Sequence, residues 1–202
     1  MKITMVTMVT TNEAKVVRLR GIFRQHGLEV DWVVPGGMPE LQADTSIEVA
    51  SCKAQWAYDT YRRAVLVDDL AFNVDRLNGW PGVTFKQALE ALTPAGLLRL
   101  MAPWPNPADR TCRYIDAVVC RFGDGPDDAV VRECVIEGRL ALAESDYANT
   151  AGMNYSLWSI FIPDGHEVAL AAMTDDEVRD WRASSSVLRV YEDLAARLKS
   201  RL

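Results

Sequence analysis

Short apolar runs with strand-like alternation take turns with segments of helical spacing along the first third of the chain, and this order restricts the fold more than any other feature. Residues 2–10 alternate apolar and polar side chains, and from Asn12 to Leu19 the apolar spacing becomes that of an amphipathic helix. The first unit therefore reads as strand, tight turn, helix. Residues 28–34 read as a second strand closed by Pro35-Gly36-Gly37, and residues 46–61 have helical spacing through Ile47, Ala50, Ala54 and Ala57. That helix leads to a third strand at residues 64–67, short, apolar and β-prone, which is expected to stop abruptly at Asp68-Asp69.

The middle of the chain carries different punctuation. Asn78-Gly79-Trp80-Pro81-Gly82 is a turn by composition, followed by one helical stretch from about Phe85 and another from Pro94. Residues 103–107 form a proline-rich loop. Residues 112–122 and 129–142 are β-prone and are bridged by Gly123-Asp124-Gly125-Pro126-Asp127-Asp128, a hairpin signal that makes this region antiparallel. A last short strand is expected at residues 159–162, and an amphipathic helix from Asp175 to the end, with a break near Ser184 to Ser186. There is no internal repeat, and 202 residues that are 49% hydrophobic form one folding unit over 1–202 with a sizeable core. The fold class expected is α/β.

Composition excludes several function classes. No run approaches the ~20 apolar residues of a membrane-crossing helix. The opening Met-Lys-Ile-Thr-Met-Val lacks the apolar core and small-residue cleavage site of a signal peptide, so a soluble, cytoplasmic protein is expected. Cys52, Cys112, Cys120 and Cys134 match neither a zinc site nor a CxxC redox pair and read as reduced core thiols. A formal charge of -6 argues against a broad face for a nucleic acid polymer, while leaving room for a local cationic pocket that holds one phosphate chain with the help of a metal ion.

Two sets of residues can carry chemistry. The turn Thr10-Thr11-Asn12-Glu13-Ala14-Lys15 lies between a strand and a helix, where unpaired backbone N–H groups and the helix dipole favour an anion and Lys15 adds a full charge. The plain alternative is that Asn12 only caps the helix and Lys15 is solvated. The second set is Asp44, Asp68 and Asp69, hard oxygen donors from separate segments that suit Mg2+ and can orient or deprotonate a water. The alternative is that Asp44 caps the helix starting near Ser46 and the other two merely end a strand. Spacing alone leaves the two readings level.

These segments together resemble the nucleoside-triphosphate pyrophosphatase family typified by inosine triphosphatase, also called Ham1-like. Thr10-Thr11-Asn12-Glu13-Ala14-Lys15 resembles its Thr-Gly-Asn-x-x-Lys loop, Pro39-Glu40-Leu41-Gln42-Ala43-Asp44 its Pro-Glu-x-Gln-Gly-Glu, and Lys53 the lysine of the following helix. Val65-Leu66-Val67-Asp68-Asp69 with Leu77-Asn78-Gly79-Trp80-Pro81-Gly82 is similar to Val-Leu-Val-Glu-Asp and Leu-x-Gly-x-Pro-Gly in order and spacing. Lys86, Leu89 to Leu97, Phe161-Ile162-Pro163-Asp164-Gly165 and Ala172-Met173 continue the match over nearly the whole chain. The resemblance implies a long mixed, twisted sheet flanked by helices, with two lobes enclosing a central cleft, and a homodimer. It implies Mg2+-dependent hydrolysis of a nucleoside triphosphate to the monophosphate and pyrophosphate. Asp69 and Asp68 would bind metal and activate water, Asp44 would bind metal, Lys15, Lys53 and Lys86 would neutralise phosphate charge, and Thr10 and Asn12 would position it.

The departures from the family pattern are concentrated. Thr11 replaces the glycine of the first loop, and Asp68-Asp69-Leu70-Ala71 stands for Glu-Asp-Thr/Ser-Gly. The Phe-Gly-Trp/Tyr-Asp-Pro that stacks on and reads the base becomes Tyr155-Ser156-Leu157-Trp158-Ser159, and the Lys-Asn and Ser-His-Arg that follow become Val178-Arg179 and Arg182-Ala183-Ser184. Tyr155, Trp158 and Arg182 remain as base-pocket residues, with at least one of the two aromatics expected in the core and a solvated helix position as the alternative for Arg182. Phosphate and metal contacts are indifferent to the base, so the expectation is altered base specificity. The alternatives are a hydrolase of a modified or pathway-specific nucleotide on the same fold, and a catalytically silent nucleotide-binding protein.

Overall fold

A computed structural model of the chain describes residues 4–39, 41–150 and 156–200. The elements in order are β1 (Met5–Val9), α1 (Glu13–Gln25), β2 (Glu29–Val33), α2 (Ser46–Tyr61), β3 (Val65–Val74), β4 (Pro81–Gly82), α3 (Phe85–Leu100), β5 (Thr111–Arg121), β6 (Ala129–Leu140), β7 (Phe161–Pro163), α4 (Asp175–Ser184) and α5 (Ser186–Ser200). The seven strands form one mixed sheet in the order β2-β1-β3-β5-β6-β7, with β4 paired to β3. β1 is parallel to β2 and β3, whereas β4 and β7 run antiparallel to β3 and β6. β5 and β6 are neighbours joined through a turn closed by the Phe122 N–H donating to Asp128 O at 2.9 Å, and so short a connection joins only antiparallel strands.

The chain divides into two compact units, the first taking the described residues of Met1–Leu70, Asp116–Cys134 and Val187–Leu202, the second Ala71–Ile115 and Val135–Ser186. In the first unit the strands are buried on both faces, and their alternation sorts the apolar side chains between two helical layers. Leu66, Val118 and Cys120 pack with Val16, Leu19 and Phe23 of α1 and Tyr191, Leu194 and Leu198 of α5. Their sequence neighbours Val65, Val67, Ala117 and Val119 pack on the other side with Ala50, Ala54 and Ala57 of α2. Each such aliphatic side chain, once fully buried, contributes on the order of 1.5–3 kcal/mol. Helix boundaries follow local chemistry. Thr45 opens α2 with a capping box, its side chain accepting the Glu48 N–H at 3.3 Å while Glu48 accepts the Thr45 N–H at 3.1 Å. After α1, Gly27 adopts a φ of 75°, the left-handed conformation in which glycine ends helices.

The second unit centres on Phe72, Tyr114 and Phe161, whose rings lie 4.8–6.1 Å apart in tilted and edge-on contacts. Buried Arg110 ties segments together by donating to the carbonyls of Met101, Trp104, Leu140 and Ala141. Helix α3 is broken at Thr93 (φ 60°) ahead of Pro94, which yields the two helical stretches expected from about Phe85 and from Pro94.

Three expectations need correction. β3 does not stop at Asp68-Asp69 but runs on to Val74, because the chain beyond the acids has Ala71, Phe72 and Val74 to bury. The last strand is Phe161–Pro163, since residues 156–159 curl into a 3-10 turn, and β6 ends at Leu140 rather than at residue 142. Among the described residues no helix is long and apolar enough to cross a membrane.

Candidate active site

β1 ends at Val9, and the turn into α1 is pinned from both sides. The Thr10 N–H donates to Val33 O at 3.1 Å, and the Trp32 indole N–H donates to Thr10 O at 2.8 Å. Within the turn, Thr10 Oγ1 accepts the Asn12 N–H at 3.1 Å and Asn12 Oδ1 accepts the Lys15 N–H at 3.4 Å. Thr10 and Asn12 thus shape the loop, and Asn12 is the N-cap of α1. Thr11 is exposed and is not among the residues with positive φ, so the backbone here has no need of glycine.

Capping places Lys15 in the first turn of α1, where its ammonium donates to Asp68 Oδ2; the Asp68 side chain is only 3% exposed. Burial by itself lowers the affinity of Lys15 for its proton, but the charges of Asp68 and Asp116 more than offset it and hold the ammonium above its ordinary pKa. A second pair stands one residue along: Lys53 of α2 donates to Asp69 Oδ1 at 2.8 Å, with side chains 9% and 13% exposed. The two pairs lie on opposite faces of the sheet. Asp68 is in phase with Leu66 and meets α1, and Asp69 is in phase with Val67 and meets α2.

The pattern of residues did not single out Asp116, yet it is the most perturbed acid here. It lies on β5 in phase with Val118 and Cys120, is 8% exposed, and its Oδ1 has no hydrogen-bond partner. Burial, then the charge of Asp68, pushes its carboxyl up to about 7 against the pull of Lys15 and Arg18. Arg18 Nε and the Tyr191 hydroxyl are likewise buried without a partner, and the Arg18 guanidinium lies 5.9 Å from the Tyr191 ring centroid. Burial, followed by Asp116 and Asp68, raises the Tyr191 phenol well above its ordinary value. The sequence signal for Asp116 was a lone acid in the run Tyr114-Ile115-Asp116-Ala117-Val118-Val119-Cys120, at a position where alternation calls for an inward-facing side chain.

The remaining predicted site residues stand on other segments. Asp44 is exposed in the turn before α2, and the cap of that helix is its neighbour Thr45. Among the described residues, no three histidine, cysteine or acidic side chains gather into a group able to hold a metal ion, so Asp44, Asp68 and Asp69 do not form a ready-made cage. In the second unit, Lys86 is exposed in the first turn of α3. Trp158 is 7% exposed and edge-on to Trp181 at 6.0 Å, with the Arg182 guanidinium 5.1 Å from its ring centroid. Val178 is core, while Ala183 and Ser184 are exposed. Tyr155 lies outside the described residues.

The capped turn between β1 and α1 and the lysine-bearing α2 are thus set against acids on β3. The sequence pattern of the Ham1 family matches residues 6–185. The chain belongs to the Ham1 family. A relative from Trypanosoma cruzi, inosine triphosphate pyrophosphatase 1, is 31% identical over 173 residues, covering 85% of this chain and 82% of that protein. A dITP/XTP pyrophosphatase from Thermococcus kodakarensis is 28% identical over 169 residues, covering 84% and 85%. The structure of a HAM1 protein from Coxiella burnetii superposes with a TM-score of 0.78 at 16% identity, covering 98% of this chain and 99% of that one. That likeness fixes the Ham1 fold, a mixed sheet flanked by helices.

Proposed function

We propose that the protein is a Mg2+-dependent nucleoside-triphosphate pyrophosphatase with altered base specificity. Water attacks the α-phosphorus, a new P–O bond forms, the bond to the bridging oxygen of the β-phosphate breaks, and nucleoside monophosphate and pyrophosphate leave. The observation that carries this reading is the paired arrangement of Lys15 with Asp68 at the start of α1 and Lys53 with Asp69 beside α2. Lysines at one helix N-terminus and on the helix across the sheet would supply base-independent charge for a triphosphate, with Lys86 as a third. The names of the relatives from Trypanosoma and Thermococcus supply the reaction class.

The donor set fits Mg2+. This ion takes one or two protein carboxylates and fills its octahedron with waters and phosphate oxygens, so acids held in readiness by lysines suit it without a preformed cage. Because Asp68 and Asp69 face opposite sides of the sheet, one of the two, with Asp44, would hold the ion, whose chemistry there would be to neutralise developing charge on phosphate oxygens. Either aspartate, once released from its lysine, can accept a proton from the attacking water. On the base side, Arg182 rests on Trp158, an interaction on the order of 0.5–2 kcal/mol that a charged hydrogen bond to a base carbonyl can replace. Tyr155 and Trp158 complete the proposed base-side set. A cytoplasmic homodimer is the setting carried with this reading, and light scattering of the purified protein tests the dimer.

The direct experiment is a screen of pyrophosphate release over standard, deaminated and modified nucleotides with and without Mg2+, beside Asp69→Asn. The expected outcome is a strict requirement for a divalent cation and collapse of activity in the variant, which loses a ligand and a proton acceptor together. Unchanged release in Asp69→Asn would eliminate the metal assignment, and release from none of the nucleotides would favour the silent nucleotide-binding alternative.

A further inference from the structure

On the α1 face of the sheet two acids, Asp68 and Asp116, share two cations, Lys15 and Arg18, but the hydrogen bonding is uneven. Lys15 is committed to Asp68, while Asp116 keeps a buried oxygen with no donor. This resting arrangement ties up both partners: an ammonium on Oδ2 leaves Asp68 one oxygen and a largely offset charge to offer a cation, and Lys15 cannot leave without a cost. A lysine removed from a buried partner leaves an uncompensated charge, which is strongly destabilising unless another acid receives it. Asp116 is the acid in position to do so. It sits on β5, the strand next to β3, on the same face as Asp68, and its charge and that of Lys15 act on each other. Neighbouring strands are about 4.8 Å apart, a step that the flexible four-carbon stem of lysine spans by changing rotamer.

We propose that Asp116 is the alternative seat of the Lys15 ammonium, receiving it when Asp68 turns to a divalent cation. Asp116 is then a positioning residue acting through Lys15, and its bare oxygen is the site kept open for that transfer. The proposal rests on the metal-and-phosphate reading of the site above.

The test measures Mn2+ binding to the full chain at pH 8 by electron paramagnetic resonance and calorimetry, without nucleotide, in wild type, Asp116→Asn, Lys15→Met and the double variant. With its alternative seat removed, Lys15 stays on Asp68, and Asp116→Asn weakens Mn2+ by about tenfold, the size of a coupling between adjacent charged groups. Lys15→Met does not weaken binding, and adding Asp116→Asn to it changes affinity by less than about threefold, because there is no longer a lysine to relocate. Asp116→Glu, which keeps the carboxylate, holds near wild-type affinity and serves as the comparison should Asp116→Asn fold poorly. An equal loss from Asp116→Asn with and without Lys15 overturns the proposal, since it makes Asp116 a direct ligand. So does a tight wild-type site that Asp116→Asn leaves unmoved, an outcome that spares the underlying metal reading. Absence of Mn2+ binding in wild type overturns both.

Discussion

Asp116 makes the stability of the protein depend on pH in a direction opposite to that of most acids. Its carboxyl is raised from an ordinary 3.8 to about 7, so between those values the native state holds a proton that the unfolded chain has released. The stability that this proton confers is complete below about pH 4, falls as pH rises toward 7, and changes little above it. At ~1.4 kcal/mol per pH unit the full interval amounts to about 4 kcal/mol, the net of burial and the acids Asp68 and Asp69 raising the carboxyl and of Lys15 and Arg18 lowering it. The perturbation is Asp116→Asn, which preserves shape and removes the titration. Urea unfolding of both proteins at pH 4.5, 6, 7 and 8 should show the variant gaining on wild type up to pH 7 and little beyond it, by roughly 2–4 kcal/mol in all. Tyr191 faces the same cluster but titrates above this window, and Lys15 stays protonated throughout, so neither masks the effect. Two profiles that run parallel to within about 0.5 kcal/mol would refute the reasoning and mean that Asp116 is solvated or paired in solution.

Lys15→Ala and Lys53→Ala should raise KM by similar factors for every nucleotide tested, because charge on phosphate is read without regard to the base; a loss confined to one base would show both to be misassigned. The ratio of kcat/KM for inosine and adenosine triphosphates should stay small in wild type. Several base-edge groups of the family pattern are replaced by Val178, Ala183 and Ser184, each lost bond costing roughly 0.5–3 kcal/mol. A ratio in the hundreds that falls in Arg182→Ala would identify Arg182 as a rebuilt reader and overturn that expectation. Arg110→Met should lower stability by about 3 kcal/mol or more, since four carbonyls lose a shared charged donor; a shift in the unfolding midpoint too small to measure would show that water replaces it freely.

The sequence was most legible where local chemistry and tertiary need agree. Residues 46–61 are helical to the residue because Thr45 and Glu48 close a capping box and the alanines at 50, 54 and 57 face one layer. The Asn12 cap and the Lys15 position were equally plain from the turn composition. The strand boundary at Asp68 was not, because paired acids mark an end only when they are solvated. Here each is met by a lysine from a different helix, a long-range fact that spacing cannot carry. Asp116 escaped notice for a related reason: a single charge in a β-prone run belongs to no motif, and its partners Lys15, Arg18 and Tyr191 come from α1 and α5, far away in the chain. Trp158 illustrates the reverse, an aromatic singled out by its alignment with a base-reading segment whose ring packs among Trp181 and Arg182.

The alternation that sends Asp68 to one helix and Asp69 to the other turns β3 into a partition between two ion pairs. Lys15, Arg18, Asp68, Asp116 and Tyr191 stand on one side and Lys53 and Asp69 on the other, and the charge of Asp69 still reaches Asp116 across the strand. A substitution in one pair therefore leaves the side-chain contact of the other in place. A one-residue insertion ahead of Asp68 would instead exchange the wiring of both at a stroke, because a strand has only two faces to offer.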